Sequence, residues 1–303
     1  KEDGSIKSKM IVIEKFDNVP NNIKNQIKNS NRKEDNNLYR KKDKSDRATI
    51  ENCLDPKTLL KLEKLINKGD LLHYEGCIST GKEANVYYGK GFENRHLAIK
   101  IYKTSILVFK DRERYISGEF RFRHGYCKSN PRKMVAIWAE KEVRNLKRIQ
   151  LSGIKAPTPF LLKSNLIIME LIGQGAQPAP RLKDADVLDF NKAYIQVVFI
   201  MWTMFKKCKL VHSDLSEYNL LYHNHEIYVI DVAQAVEDDH PNALIFLKRD
   251  CTNINNFFEK YGVETVTNRQ LFNIVSSFSS RKNLLEEDTE EMIVKARKIN
   301  KAK

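Results

Sequence analysis

The sequence predicts an α+β fold of two lobes with a cleft between them. Three observations carry this reading. Alternating segments at Ala84–Tyr88 and Leu97–Tyr102, joined by a turn around Lys90 and Gly91, read as antiparallel strands, and one helix-length stretch follows at Met134–Gln150. After residue 180 the spacing of apolar residues becomes helical, broken by one short pair of strands at Leu220–Tyr222 and Ile227–Ile230 with a turn at Asn224. Between the two patterns, Gly173–Pro180 carries Gly, Gln and Pro and reads as a linker. Clefts between such lobes bind ligands.

The elements follow in order. Residues 1–50 are polar, with Asn21-Asn22, Asn36-Asn37 and Lys41-Lys42 and few aromatics, so burial there does not offset ordering entropy and disorder is expected. A helix is expected over Leu54–Ile66, with Leu59, Leu62, Leu65 and Ile66 at helical spacing, Pro56 in the first turn and Gly69 at the end. Residues 103–133 read as a long irregular loop with nine Lys/Arg against three acids. The helix at Met134–Gln150 is closed by Gly153 and Pro157, and the continuous apolar run Asn165–Leu171 reads as a buried strand. Helices are expected at Asp186–Cys208, Ala243–Tyr261 and Asn268–Ser277, and the charged tail after Arg281 reads as a solvated helix or a disordered arm. The domain limits expected are 1–50 for the N-terminal segment, 51–280 for the folded domain (lobes 51–172 and 173–280) and 281–303 for the tail.

Composition narrows the function classes. A chain of 303 residues with 41% hydrophobic content can bury a sizeable core, and a formal charge of +14 favours polyanionic partners such as nucleic acid, ribonucleoprotein or nucleotide phosphates. A solvated basic surface accounts for the same charge. Cys53, Cys77, Cys127, Cys208 and Cys251 form no C-x-x-C pair, which argues against a zinc site and a disulfide scaffold and for reduced intracellular thiols. The opening residues are charged and lack a signal-peptide core, and the longest apolar stretch, Ala193–Phe205, is too short for a membrane span; a soluble protein with no membrane partner is expected.

Four segments carry chemistry. In His212-Ser213-Asp214-Leu215-Ser216-Glu217-Tyr218-Asn219, an Asp precedes an Asn by five residues on a loop, which resembles the kinase catalytic loop H-R-D-L-x-x-x-N. Phosphoryl transfer needs a carboxylate to orient a hydroxyl and accept its proton, and an amide oxygen to help hold Mg²⁺. A capping Asp and a turn Asn account for the same letters. Asp231 ends an apolar strand twelve positions after Asn219, where kinases keep a metal-binding Asp, although Asp231-Val232-Ala233 replaces Asp-Phe-Gly. A helix cap is the plain alternative there.

Lys100 in Ala98-Ile99-Lys100 matches the strand lysine of V-A-I-K; a surface lysine on a strand is equally ordinary. The apolar stripe Val135, Trp138, Leu146, Ile149 also contains Glu142, and a carboxylate in such a stripe needs a buried partner. Helical geometry therefore favours Glu142 over Glu140 as the partner of Lys100. Ser79-Thr80-Gly81-Lys82-Glu83-Ala84-Asn85-Val86 has a turn glycine and groups able to meet phosphate oxygens, yet is no P-loop; by general pattern it is a polar hairpin turn.

Taken together, these segments resemble the RIO family of atypical protein kinases. Ser79–Ala84 is similar to that family's phosphate loop, His212–Asn219 to its catalytic loop and Ile230-Asp231 to its metal strand. Trp138–Leu146 and Phe120–Cys127 are similar to the first RIO subfamily in particular. The likeness covers about residues 54–262. It implies an abbreviated bilobal protein-kinase-like fold: an N-lobe antiparallel sheet plus helix, a mostly helical C-lobe, and no activation loop, consistent with the lack of Ala-Pro-Glu after Asp231. It implies Asp214 as the catalytic residue, Asn219 and Asp231 as ligands of Mg²⁺ (or Mn²⁺), and Asp231 as a possible phosphoryl acceptor. It places ATP against Ser79, Lys82, Val86, Ala98, Lys100, Glu142, Met169, Glu170, Ile172 and Leu221, with the backbone of Glu170 and Ile172 on the adenine.

The resemblance further implies a serine/threonine kinase that also phosphorylates itself and works in the cytoplasm on a precursor of the small ribosomal subunit; Ser117 and Ser129 are candidate self-modification sites. Two other readings stand beside it. One is an ATPase switch on pre-ribosomes through an aspartyl-phosphate at Asp231. The other is a non-catalytic RNA-binding scaffold, which the charge supports and the presence of Lys100, Asp214, Asn219 and Asp231 opposes.

Overall fold

A computed structural model describes residues 54–104, 115, 130–276 and 285–301. The chain divides between Glu51 and Asn52, and all described residues belong to the second unit. The expectation of disorder over 1–50, most of the basic loop 103–133 with Ser117 and Ser129, and residues 281–284 lie outside them.

Helix α1 (Pro56–Lys68) opens with the Asp55 carboxylate accepting the Thr58 N–H at 2.8 Å and stops at Gly69, whose φ of 86° is open to glycine at little cost. Its buried Leu62 and Leu65, worth roughly 1.5–3 kcal/mol each by burial, press on the outer face of the sheet. That sheet holds β1 (His73–Thr80), β2 (Ala84–Lys90), β3 (His96–Tyr102), β4 (Pro159–Lys163) and β5 (Leu166–Glu170) in the order β1-β2-β3-β5-β4, all antiparallel.

Strand periodicity sorts the side chains. Leu97, Ile99, Ile101, Leu166 and Ile168 pack beneath α1, while Ala84, Ala98, Tyr102, Ile167 and Met169 join the main core on the opposite face, where Lys100 also points.

Helix α2 (Pro131–Leu151) begins three residues before the expected Met134, because Asn130 caps the Arg132 and Lys133 amides at 3.0 and 3.1 Å and Pro131 suits the first turn. Its stripe Val135, Trp138, Leu146 and Ile149 lies in the main core. The linker contains a small hairpin, β6 (Gly173–Gln174) with β7 (Gln177–Pro178). Helix α3 (Phe190–Lys206) starts later than the expected Asp186, since Asp189 is the cap that takes the Lys192 amide at 2.9 Å.

The second lobe continues with β8 (Leu210–Val211), β9 (Leu220–His223), β10 (Glu226–Val229) and β11 (Val236–Glu237), then α4 (Ala243–Lys260), α5 (Asn268–Ser276) and α6 (Glu286–Lys301). β9 and β10 form the expected hairpin, turning on Asn224 and His225, both at positive φ as such a tight turn requires. β8 pairs with β11. The charged tail is a helix with a buried side: Thr289 and Ile293 are fully covered and α6 packs on α3. No helix among the described residues is long and apolar enough to cross a membrane.

Candidate active site

β3 presents Lys100 toward the second lobe, one strand position opposite Val86 and Ile167. Its ammonium donates to Glu142 Oε1 of α2 at 2.7 Å and to Asp231 Oδ1, just beyond β10, at 2.9 Å. The Tyr102 hydroxyl, two residues along the same face of β3, donates to the other Glu142 oxygen. Glu140, the alternative partner, instead pairs with Arg144 on the surface.

Electrostatics follow the burial. Desolvation opposes the charge on Lys100, but the Asp231 and Glu142 carboxylates outweigh it and hold the ammonium above the usual lysine range. Burial likewise opposes the Asp231 charge, and Lys100 wins, keeping that carboxyl below its ordinary value. Burial pushes Glu142 up against the pull of Lys100; with both oxygens accepting donors, its geometry is that of a carboxylate. The side chains of Lys100 and Glu142 are 8% and 2% exposed and that of Asp231 is 47% exposed, so Asp231 is the member open to a ligand.

The loop after β8 presents Asp214. Asp250, inside α4, fixes its backbone by accepting the Ser213 N–H at 2.9 Å and the Leu215 N–H at 3.0 Å. Arg249 donates to the Ser213 carbonyl, and Asn253 to that of Leu215 at 3.2 Å. Asn219 turns its amide nitrogen to Asp214, 2.8 Å from the carbonyl and 3.3 Å from Oδ2. An amide nitrogen so occupied leaves the Asn219 side-chain oxygen for another donor or a cation. The Asn219 carbonyl accepts the Ile230 N–H at 3.1 Å, which ties the loop to the strand end bearing Asp231.

His212 is buried, and burial lowers its pKa, so the neutral ring donates Nε2–H to the Ile230 carbonyl at 3.1 Å. Asp214 is raised, chiefly by burial and further by the nearby Asp231 charge, with the Arg249 charge and the Asn219 hydrogen bond pulling the other way.

The remaining expected positions lie on β1, β2, β3, β5, β9 and the segments beside them. Ser79 is the next-to-last residue of β1 and Lys82 lies in the turn after it, both exposed. Gly81 donates to the Ala84 carbonyl at 2.9 Å and accepts Lys103 Nζ at 2.7 Å; a Cβ on Gly81 would stand 2.9 Å from the Ala84 oxygen. Val86 and Ala98 lie on the Lys100 face, and Met169 pairs with Ala98 across the sheet. Glu170 points its carboxylate at Thr158, 3.2 Å from the amide and 2.9 Å from the hydroxyl, and donates its own N–H to the Thr158 carbonyl at 2.9 Å. The Ile172 carbonyl accepts the Ala179 N–H at 2.8 Å, closing the linker hairpin. Leu221 is half-buried on β9, opposite Tyr228 and bridged to Arg181.

Sequence reasoning did not single out Tyr102, Arg249 or Asp250. Tyr102 was readable as the next residue on the Lys100 face; Asp250 and Arg249 sit in an ordinary amphipathic helix and carry no local signal.

A family model described as RIO domain matches residues 85–271. The chain belongs to the RIO family. It is 50% identical over 279 residues to the serine/threonine-protein kinase rio1 of Dictyostelium discoideum, covering 91% of this chain and 49% of that protein. It is 42% identical over 275 residues to human serine/threonine-protein kinase RIO3, covering 86% and 53%. The higher identity places it with the RIO1 group of these atypical kinases. The chain spans about half the length of these relatives. Its fold is shared by the Rio2 kinase of Chaetomium thermophilum, solved as an ADP/Mg²⁺-phosphoaspartate complex, with a TM-score of 0.55 and 21% identity over 79% of this chain and 76% of that one.

Proposed function

We propose that this RIO domain transfers the γ-phosphoryl group of ATP to serine or threonine hydroxyls, its own included. The observation that carries this reading is Lys100, drawn from one lobe and held within 2.9 Å of Asp231 in the other, beside a loop that keeps Asp214 and Asn219 in contact. In this reading the Asp214 carboxylate accepts the hydroxyl proton while the hydroxyl oxygen bonds to the γ-phosphorus. The bond from that phosphorus to the β–γ bridging oxygen breaks, and ADP leaves with the electron pair. Lys100 offsets the charge on the α- and β-phosphates, the Gly81 turn faces the phosphates, and the backbone of Glu170 and Ile172 holds the adenine.

The donor set of an amide oxygen and a carboxylate suits a hard divalent cation, so Asn219 and Asp231 would hold Mg²⁺ or Mn²⁺. When bound, that ion neutralises phosphate charge. The test is turnover of labelled ATP by the wild type, Lys100→Ala and Asp214→Ala, with and without a precursor of the small ribosomal subunit. Equal turnover in all three ends the reading.

A second reading is favoured by the exposure of the Asp231 carboxylate and by the phosphoaspartate named for the Chaetomium kinase. Here an Asp231 oxygen attacks the γ-phosphorus, ADP leaves, and water then displaces aspartate to give inorganic phosphate. Base-labile acyl-phosphate marks this route, acid-stable phosphoserine the first. If Asp231→Asn hydrolyses ATP normally, the switch reading is lost.

In either case the working assembly is a precursor of the small ribosomal subunit in the cytoplasm. Support comes from the +14 charge and the basic run 103–133, which suit an RNA-rich surface. Binding of the precursor that does not weaken with added salt would contradict that assignment.

A further inference from the structure

Between Thr104 and Asn130 the structure describes Tyr115, and this side chain is 6% exposed. Its ring stacks on Phe246 of α4, centroids 5.1 Å apart and planes at 21°. The same ring meets Trp138 of α2 nearly edge-on, at 6.4 Å and 76°. Its carbonyl accepts the buried Lys141 ammonium at 2.9 Å, and its hydroxyl faces the Arg249 guanidinium. Arg249 lies 5.3 Å over the Phe246 ring and donates to the Ser213 carbonyl.

The two polar contacts each lie one residue from a member of the centre or its support. Lys141 precedes Glu142, whose carboxylate meets Lys100. Arg249 precedes Asp250 and grips the residue before Asp214. Asn145 ties α2 to the second lobe one turn further on, donating to the Val232 carbonyl at 2.8 Å. Tyr115 adds a second tie on the side of Asp214. A buried tyrosine keeps both its aromatic contacts and its polar partners only while α2 and α4 hold one spacing.

We propose that Tyr115 is a positioning residue that locks α2 to α4 and thereby sets the Glu142–Lys100 pair in register with the Asp214 loop. The inference deepens the phosphoryl-transfer reading and rests on it. It makes the two halves of the centre conditional on one ring: loosening either helix frees the other.

The test compares Tyr115→Ala and Tyr115→Phe, alone and combined with Glu142→Gln, by ATP kinetics and by hydrogen exchange on the whole chain. Tyr115→Ala is expected to lower kcat by about tenfold or more with KM for ATP changed by less than about twofold, as misplacement rather than lost binding requires. Exchange is expected to rise together in residues 138–142 and 213–215. Adding Tyr115→Ala to Glu142→Gln should cost less than adding it to the wild type, since both act on one arrangement. A wild-type kcat, a loss confined to KM, fully additive losses, or exchange rising in only one segment overturns the proposal.

Tyr115→Phe keeps the ring contacts and is expected to stay within about twofold of the wild-type kcat; Tyr115→Leu, which removes the ring but keeps bulk, serves if the alanine variant does not fold, and unchanged kcat and unchanged exchange at 213–215 in the leucine variant also overturn the proposal. A wild type that turns over no ATP sinks the phosphoryl-transfer reading, and the exchange data still decide the lock. An active wild type with indifferent Tyr115→Ala and Tyr115→Leu variants sinks the lock alone.

Discussion

Lys100 Nζ stands 2.9 Å from Asp231 Oδ1, a contact between residues 131 positions apart that joins the sheet of one lobe to the strand end of the other. The same ammonium is shared with Glu142 at 2.7 Å. Removing it strands a buried carboxylate. Lys100→Met is therefore expected to destabilise the fold by about 3–5 kcal/mol as well as abolish turnover. Replacing Glu142 with Leu in the same chain should recover part of the stability and none of the activity. Urea melts of the single and double variants check this, and a Lys100→Met melt matching the wild type contradicts it.

The pH dependence of turnover reports on Asp214. Burial, then the Asp231 charge, raises its pKa above the ordinary 3.8. In the proposed role as base Asp214 works ionised, so kcat/KM is expected to fall as pH drops through that raised value, with the acid limb above 3.8. Mutating Arg249, whose charge pulls Asp214 down, moves the limb further up. A limb at the ordinary aspartate position in a pH–rate profile rejects this account.

Asp250 gives a stability signature. Burial pushes it up to about 7 despite its two backbone donors and Arg249. A folded pKa above the unfolded one means that the folded state binds the proton more tightly. The contribution is full below about pH 4 and lost as pH rises to about 7, up to roughly 4 kcal/mol. Asp250→Asn does not titrate. Its stability relative to wild type should therefore improve from pH 4 to pH 7, while kcat drops because one of the Ser213 and Leu215 amides loses its acceptor. A pH-independent difference in the two melts contradicts the assignment.

Gly81→Ala brings a methyl group to 2.9 Å from the Ala84 carbonyl oxygen and must open the turn. KM for ATP is expected to rise about tenfold, some 1.4 kcal/mol, with the melting temperature little changed. An unaltered KM would show that this turn does not face the phosphates.

Much of the architecture is readable from residues because periodicity reports burial. Ala98, Lys100 and Tyr102 alternate with Leu97, Ile99 and Ile101, and the two sets face different cores. Glu142 is legible as the partner of Lys100 because it interrupts an apolar stripe at helical spacing, and the structure makes that pair. β1 is not legible: it is an edge strand, largely exposed, with irregular register between Tyr74, Cys77 and Ser79, so no alternation survives. β4 hides for a related reason, starting at Pro159 on the opposite edge. Asp250 and Tyr115 act through partners 35 or more and 23 or more residues away, and local pattern carries no trace of such distances. The buried face of α6 is masked by its run of charges, since Thr289, Ile293 and Ala296 are thinly spaced among them.

Asp231 holds its carboxylate on a backbone with φ 58° and ψ 54°. Asparagine tolerates that left-handed well, whereas alanine there meets the steric cost of about 1–2 kcal/mol per residue. The two common replacements are thus unequal probes: Asp231→Asn removes charge at constant shape, and Asp231→Ala also tilts the chain direction leading to Val232 and its bond with Asn145. A gap between their kinetic losses would measure how much of this position's importance is conformational rather than ionic.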